Sequence, residues 1–507
     1  MPGPILGRRG LAKATLIAIA IVAGALTSAP AQQIAPPNVR VPPVVVTHNI
    51  TPLGWLVIGS IGCAAVSPMI ATVILGRELT LAEAHHTTLG CILGPVGWLL
   101  ADAMFPPAVT ATSTQQPTPP RKPKKTNAAR GRNFDIPPSG ETRFVNNELL
   151  LEFSSSATPG IRDALARSLQ LTQLETQSFS LTGRSISRWR IDGGRSVADT
   201  LRLIRRNFPA VTAGQANKLY VGAQTEPAIK PDAVPDGAAA QYVVRKLHLL
   251  EAHRINKGDD VLVAVIDSRI DRGHPNLAGV IVDEFDAIGT PGPVHSHGTA
   301  IAGAIAANSK LVGVAPKVRV LAVRAFSGSG ESAQSTTFNI LKSLDWAASR
   351  NARIVNMSFA GPSDPMLQEM LRAANARGIV LVAAVGNAGP NSPPLYPAAY
   401  AAVIGVTATD AEDRLMPQAN RGPQVSVAAP GVEIMAAAPN GAYQVTSGTS
   451  IAAAHASGVA ALLLAVKPKL SPAQVRGNLT RSAHRIPGKR NEVGAGVIDA
   501  LAVLNSK

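Results

Sequence analysis

Three residues in this chain have the types and settings needed for covalent catalysis together. Asp267 ends the apolar run Val261-Leu262-Val263-Ala264-Val265-Ile266, His297 sits in His295-Ser296-His297-Gly298-Thr299-Ala300, and Ser450 in Gly448-Thr449-Ser450-Ile451-Ala452-Ala453. A serine hydroxyl is a weak nucleophile until a histidine takes its proton, and that histidine needs a carboxylate to fix its tautomer and stabilise its charged form. A serine at the start of a helix also has backbone N–H groups and a favourable dipole beside it for a developing oxyanion. A lone aspartate at a strand end is more often a turn residue, so the combination is what carries the reading. His295 precedes its block and reads as a loop residue, whereas His455, inside the serine helix, reads as a packed structural histidine.

The elements that must position these residues are legible over residues 241–507. Val261–Ile266, Val318–Val323, Ile354–Met357, Val380–Ala384 and Ala402–Thr407 are nearly continuous apolar runs, the mark of parallel strands buried on both faces. Helices are expected over His297–Ala307, Phe338–Arg350, Pro365–Arg377 and Ser450–Val466. The fold class is therefore α/β, a doubly wound and mainly parallel sheet with its site at the carboxyl ends of the strands.

The segments Ala264-Val-Ile-Asp267-Ser, His297-Gly-Thr299, Asn356-Met-Ser358, Gly386-Asn387 and Gly448-Thr-Ser450-Ile-Ala-Ala resemble, in order and spacing, the signature blocks of the subtilases. The order Asp, His, Ser is that family's and differs from chymotrypsin and the α/β-hydrolases. The resemblance implies a serine endopeptidase acting on polypeptides. In it Asp267 orients the imidazole, His297 is general base and then general acid, Ser450 is the nucleophile and Asn387 an oxyanion donor. It further implies that Ser358, Phe359, Ala360 and Gly361 pair with the substrate backbone. Ala383 and Ala384, with Val385 and Gly386, form the far wall of the pocket before the scissile bond, and Leu395 its base; such a lining suits an apolar residue. Arg269 stands where the family usually has glycine, which is expected to narrow access or perturb His297. Ala360 replaces a common glycine in the substrate strand and should also narrow the cleft. Ala454 replaces a usual proline, placed here in the first turn of the serine helix. The loop Asn308-Ser309-Lys310-Leu311-Val312 is short and lacks a carboxylate, so no calcium site is expected there and no metal or other cofactor is implied. A different class, a silent fold of this kind that only binds peptides, is opposed by the complete set of site residues.

Ahead of this domain, residues 141–225 alternate as strand, helix, two strands, helix and strand, a small α+β unit with a four-stranded antiparallel sheet. It resembles the subtilase propeptide, which implies an inhibitory partner within the same chain. A Pro/Gly/Ala-rich junction at 226–240 follows, and self-cleavage is expected between about Tyr220 and Gln241, with Tyr220–Gln224 or Ala238–Gln241 preferred. Residues 106–140 form a basic, Pro-rich linker. Two apolar stretches over 53–105 read as a transmembrane hairpin, with Gly54, Gly59, Gly62, Gly90, Gly94 and Gly97 for close helix approach and Trp55 and Trp98 near an interface; a buried soluble hairpin is the alternative. His85 and His86 are read as loop residues between them. Residues 32–52 are a Pro-rich spacer, and residues 1–31 a secretory signal or an uncleaved anchor.

Composition trims the remaining classes. The net charge of +16 is spread along the chain apart from Arg121-Lys122-Pro123-Lys124-Lys125, and no zinc-finger spacing or basic-aromatic alternation accompanies it, so nucleic acid is not an expected partner. Cys63 and Cys91 are the only two cysteines, which excludes a disulfide scaffold and a thiol metal site. The expected location is exported and membrane-associated, with the catalytic domain outside. A cytoplasmic membrane protein whose basic linker holds anionic lipid is the rival placement.

Overall fold

The computed structural model describes residues 132–222, 241–328 and 333–506. All of them fall within one compact unit, Thr126–Lys507. The apolar stretches, the paired histidines, both cysteines, the basic run and the whole junction at 226–240 lie outside the described residues.

The first elements are β1 (Asn133–Asp135), β2 (Phe144–Phe153), β3 (Leu171–Phe179), β4 (Arg184–Ile191) and β5 (Val211–Val221), with helices at Pro159–Leu169 and Val197–Asn207. The sheet order is β1-β5-β2-β4-β3. The last four strands by sequence pair antiparallel as expected, while β1 runs parallel to β5, Asn133 opposite Ala213. This strand lies inside the stretch read as linker, so the small domain's sheet begins earlier than the sequence pattern suggests. Both helices have recognisable starts: a proline in the first turn at Pro159, and Ser196 accepting from Asp199 N–H. Leu149 and Leu151 face these helices, whereas Leu150 faces the opposite way into a second core. A strand with three consecutive buried leucines must be covered on both sides, and the second cover is the large domain.

The large domain contains β6 (Leu262–Asp267), β7 (Ile281–Asp286), β8 (Arg319–Arg324), β9 (Gln334–Thr336), β10 (Ile354–Met357), β11 (Val380–Ala384), β12 (Val403–Thr409), β13 (Val425–Pro430) and the hairpin β14–β15 (Ile434–Ala437, Tyr443–Thr446). Seven of these form a parallel sheet ordered β13-β12-β11-β10-β6-β8-β7. Alternate residues feed two cores: Val263 and Val265 of β6 enter one, Ala264 and Ile266 the other. The chain passes from β8 to β10 across β6, so the order reverses at β6 and leaves a crevice at its carboxyl end. The helix Thr449–Val466 is long and apolar enough to cross a membrane, yet 89% of it is buried inside the domain. It is a core helix, filling the space behind the sheet.

The small domain docks its open sheet face on the helices Thr337–Ser349 and Pro365–Ala376. Phe179 meets Phe338 edge-on at 6.3 Å. At the helix starts, Phe338 N–H donates to Asn217 Oδ1 (3.2 Å) and Met366 N–H to Gln215 Oε1 (3.2 Å). Orphan donors at two helix ends are thus satisfied from β5.

Candidate active site

Asp267 ends β6 and His297 lies in the first turn of the helix Ser296–Ala306, so the two meet across the sheet's carboxyl edge. His297 Nδ1 is 2.7 Å from Asp267 Oδ1. A carboxylate can only accept, so Nδ1 carries a proton, and in the neutral ring Nε2 is the nitrogen with the lone pair. Nε2 is buried and has no hydrogen-bond partner. Asp267 Oδ1 also accepts from Ser268 N–H (2.7 Å) and Ser268 Oγ (3.0 Å), which fixes the carboxylate before the imidazole arrives. Ser268 Oγ in turn accepts from Gly298 N–H (3.0 Å). A Cβ on Gly298 would sit 2.4 Å from the Ser268 carbonyl oxygen, so glycine after His297 is a packing requirement. His295, read from sequence as a loop residue, is the N-cap of this helix: its Nδ1 accepts from His297 N–H at 3.2 Å, and burial holds its pKa below the ordinary value.

Ser450 is the second residue of its helix and only 7% exposed. Its Oγ donates to the Ser358 carbonyl at 3.2 Å rather than to His297. Ser358 Oγ donates back to the Ser450 carbonyl (2.9 Å) and accepts from Asn356 Nδ2 (2.9 Å), and Asn356 Oδ1 accepts from Ser457 Oγ (2.9 Å). This chain clamps the start of the serine helix to the end of β10. Thr449 N–H (3.1 Å) and Oγ1 (2.8 Å) both donate to Asn387 Oδ1. A backbone N–H can only donate, so the amide orientation of Asn387 is forced and its Nδ2 is left for the cleft, beside Ser450.

That cleft, about 550 Å³, is lined by Ser358, Phe359, Ala360, Gly361, Ala384, Leu395, Asn387 and Ser450, and also by Leu219, Val221 and Gly222 of the small domain. Val221 and Ala360 exchange both backbone hydrogen bonds (2.9 and 3.1 Å), and Gly222 N–H donates to the Ala333 carbonyl (2.9 Å). The end of β5 also pairs with β9, Leu219 to Thr336 and Val221 to Gln334. The chain's own strand therefore occupies the position expected for an extended peptide. Leu395 reaches the cleft beneath Gly386, whose φ of +104° and 2.8 Å Cβ-to-Leu395 approach admit only glycine. Ala383 does not line the cleft: strand alternation turns it into the second core, fully buried, while its neighbour Ala384 faces the site.

The departures from pattern also resolve. Arg269 is exposed and its Nη1 donates to the Gly292 carbonyl at 2.9 Å, outside the cleft lining. Among the described residues no hydrogen bond joins it to His297. Arg269→Gly is therefore expected to leave kcat/KM within about threefold and to cost about 1 kcal/mol of stability, the worth of one such bond; a peptide assay beside a thermal melt checks both. Ala454 lies in the second helical turn, since the helix begins at Thr449. In the loop at 308–312, Leu311 N–H donates to Asn276 Oδ1 and Val312 N–H to Gln241 Oε1, both at 2.8 Å.

His455 is packed as expected. Its Nδ1 donates to the Pro430 carbonyl (2.8 Å), and burial pulls its pKa down to about 4. The unfolded chain, with a value near 6.5, takes up this proton first as pH falls. The stability this group contributes is whole above about 6.5 and is lost on the way to about 4, roughly 3 kcal/mol in all. Unfolding in urea at pH 7 and pH 4 should show that loss shrink in His455→Asn, which keeps a donor and cannot titrate.

The profile of the subtilase family matches residues 258–496. Thermitase of Thermoactinomyces vulgaris is 34% identical over 274 residues, covering 52% of this chain and 96% of thermitase. Subtilisin DY of Bacillus licheniformis is 34% identical over 277 residues, 52% of this chain and 99% of that protein. Among solved structures, fervidolysin of Fervidobacterium pennivorans, a keratinolytic enzyme related to subtilisin, superposes with a TM-score of 0.62 at 23% identity, over 75% of this chain and 63% of its own. That last likeness is one of fold, but thermitase and subtilisin DY are matched along nearly their whole lengths. The chain belongs to the subtilase family of serine endopeptidases.

Proposed function

We propose that Ser450 is the nucleophile, His297 its base and then the acid for the leaving amine, Asp267 the carboxylate that holds the imidazole, and Asn387 an oxyanion donor. The single observation that carries this reading is the 2.7 Å contact between Asp267 and a His297 whose Nε2 is buried and unpartnered, on a helix packed against the one that begins at Thr449-Ser450. Ser450 Oγ must turn from the Ser358 carbonyl toward Nε2 for the reaction, a rotation about one side-chain bond. The proton then moves to Nε2, Oγ bonds to the carbonyl carbon, and the charge on the carbonyl oxygen is met by Asn387 Nδ2 and the Ser450 N–H. Water later repeats the attack on the acyl-enzyme. A fluorophosphonate probe should label the protein on Ser450 alone, as located by peptide mass spectrometry; absence of label on a folded, inhibitor-free protein would favour a silent peptide-binding fold.

In the same proposal residues 141–225, with β1 ahead of them, act as a propeptide that fills the cleft with the end of β5. Residues 1–31 direct export, 53–105 tether the chain to the membrane, 106–140 and 226–240 serve as linker and junction, and 241–507 form the catalytic domain, outside. Reporter fusions after Gly140 test the placement: alkaline phosphatase activity supports it, and a fusion active only in the cytoplasm overturns it.

A further inference from the structure

We propose that Asp364 makes this enzyme select tyrosine at the fourth residue on the N-terminal side of the bond it cuts, by accepting the phenol hydrogen bond at the floor of a closed aromatic pocket. The inference rests on the peptidase reading above. Its starting point is Tyr220, the residue before the one paired with Ala360. Tyr220 is fully buried, its ring meets Phe359 edge-on at 5.8 Å, and its hydroxyl donates to Asp364 Oδ2 at 3.1 Å. The pocket is shaped to this ring: a Cβ on Gly361 would lie 2.4 Å from Tyr220 Cδ1. Burial raises the phenol's pKa well above its ordinary value, so it remains a donor.

Asp364 does more than a helix cap requires. Its Oδ1 accepts from Leu367 N–H (3.0 Å), the capping bond of the helix Pro365–Ala376, and a surface serine would do as much. Its Oδ2 is a second, fully buried acceptor held at 2.6 Å by Thr337 Oγ1 and aimed at the pocket. Leu367 and Thr337 belong to the large domain, so the carboxylate stays oriented when β5 leaves; Tyr220 and Gln215, the latter donating to Oδ1 at 2.9 Å, leave with it. A substrate tyrosine restores the lost donor to Oδ2. Phenylalanine fills the same space and leaves a buried carboxylate oxygen one donor short, the situation in which a site discriminates most sharply against a missing hydroxyl.

The register supplies the test. Val221 faces Ala360, so in an extended peptide bound in the same antiparallel register the residue two further on would face Ser358, whose carbonyl is beside Ser450 Oγ. The p-nitroanilides of Tyr-Val-Gly-Ala and Phe-Val-Gly-Ala therefore place the ring in question at the pocket. They are compared on protein purified after expression of the full chain, as wild type and as Asp364→Ser, which keeps the cap and removes the second oxygen. The expected kcat/KM ratio, tyrosine over phenylalanine, is about 10- to 100-fold in the wild type and within about threefold in the variant. Poorer folding of the variant lowers both rates alike and leaves the ratio untouched. A wild-type ratio within twofold, with both peptides cut, overturns the role of Asp364 while the peptidase reading stands. Release from neither peptide by protein that mass spectrometry shows to have lost the small domain overturns the peptidase reading, and this inference falls with it.

Discussion

Ser450→Ala is expected to accumulate as an uncut chain, whereas the wild type should yield a fragment that begins at Gln224. The bond is set by strand register. Val221 is locked to Ala360 by two hydrogen bonds, Gly222 is held from the other side by Ala333, and an extended chain continuing in this register would bring its next residue to the level of Ser358 and Ser450. The sequence alone leaves two candidate stretches, Tyr220–Gln224 and Ala238–Gln241; the register favours the earlier one and reduces it to a single bond, Ala223–Gln224. Loss of the serine nucleophile costs about 10⁶-fold in turnover in subtilisin itself, a figure carried over from that enzyme. A loss of that size takes a cut completed in minutes beyond the span of any expression experiment. Intact-mass spectrometry on protein from a protease-deficient host gives the answer. Ser450→Ala cut at the same bond would show that another enzyme does the work, and a wild type left whole would make the small domain a permanent part of the protein.

Asn387→Ala should keep the fold and lower kcat by ~10²–10³, with little change in KM. The side chain is exposed at the rim of the cleft, and its only described bonds are those that Thr449 donates to its carbonyl. Truncation therefore disturbs no core packing. It removes a donor whose partner, the oxyanion, exists only during reaction, so the cost falls on turnover rather than binding. Asn387→Asp is the sharper companion. It keeps the Thr449 bonds and the shape but turns an acceptor toward the developing charge, and should be at least as damaging. If Asn387→Asp retained activity within a few-fold, the oxyanion would have to be stabilised by other groups.

The site is largely legible in sequence because its residues sit at the ends of elements with unambiguous patterns. Runs such as Ile354–Met357 and Val380–Ala384 can only be strands covered on both faces, and the structure has them with those bounds. Elsewhere ends move by one or two residues, as where the serine helix starts at Thr449 rather than Ser450. What escaped was held by distant partners. Three residues of β1 gain strand geometry only from pairing with β5, some 80 residues on, and a basic, proline-rich stretch gives no local hint of it. The capping role of His295 shows only once His297 is known to lie in the first turn. Nothing local marks Asp364 either: it precedes a proline at a helix start, and its second oxygen becomes meaningful only when Tyr220 arrives from another domain. Ala383 was misplaced because a one-residue difference in a strand reverses the face.

The end of β5 belongs to two structures at once, a strand of the small domain's sheet and the guest in the cleft. After the cut it would remain a strand as far as Leu219, because Lys218 pairs with Phe144 of β2 and Leu219 N–H donates to the Arg143 carbonyl. A free peptide competing for the same site must first give up its own disorder, about 1–2 kcal/mol for each residue fixed. That saving falls on Leu219, and the docked sheet face adds contacts a free peptide lacks, Phe179 against Phe338 and Asn217 at the start of the helix Thr337–Ser349. The cleaved small domain therefore wins against any ordinary substrate at similar abundance, and activity in solution would appear only after the small domain itself is destroyed. Release then behaves as a delay whose length is set by the unfolding of this small domain, and loosening its core at Leu149 or Trp189, far from the cleft, would shorten the wait without changing a single contact at the active site.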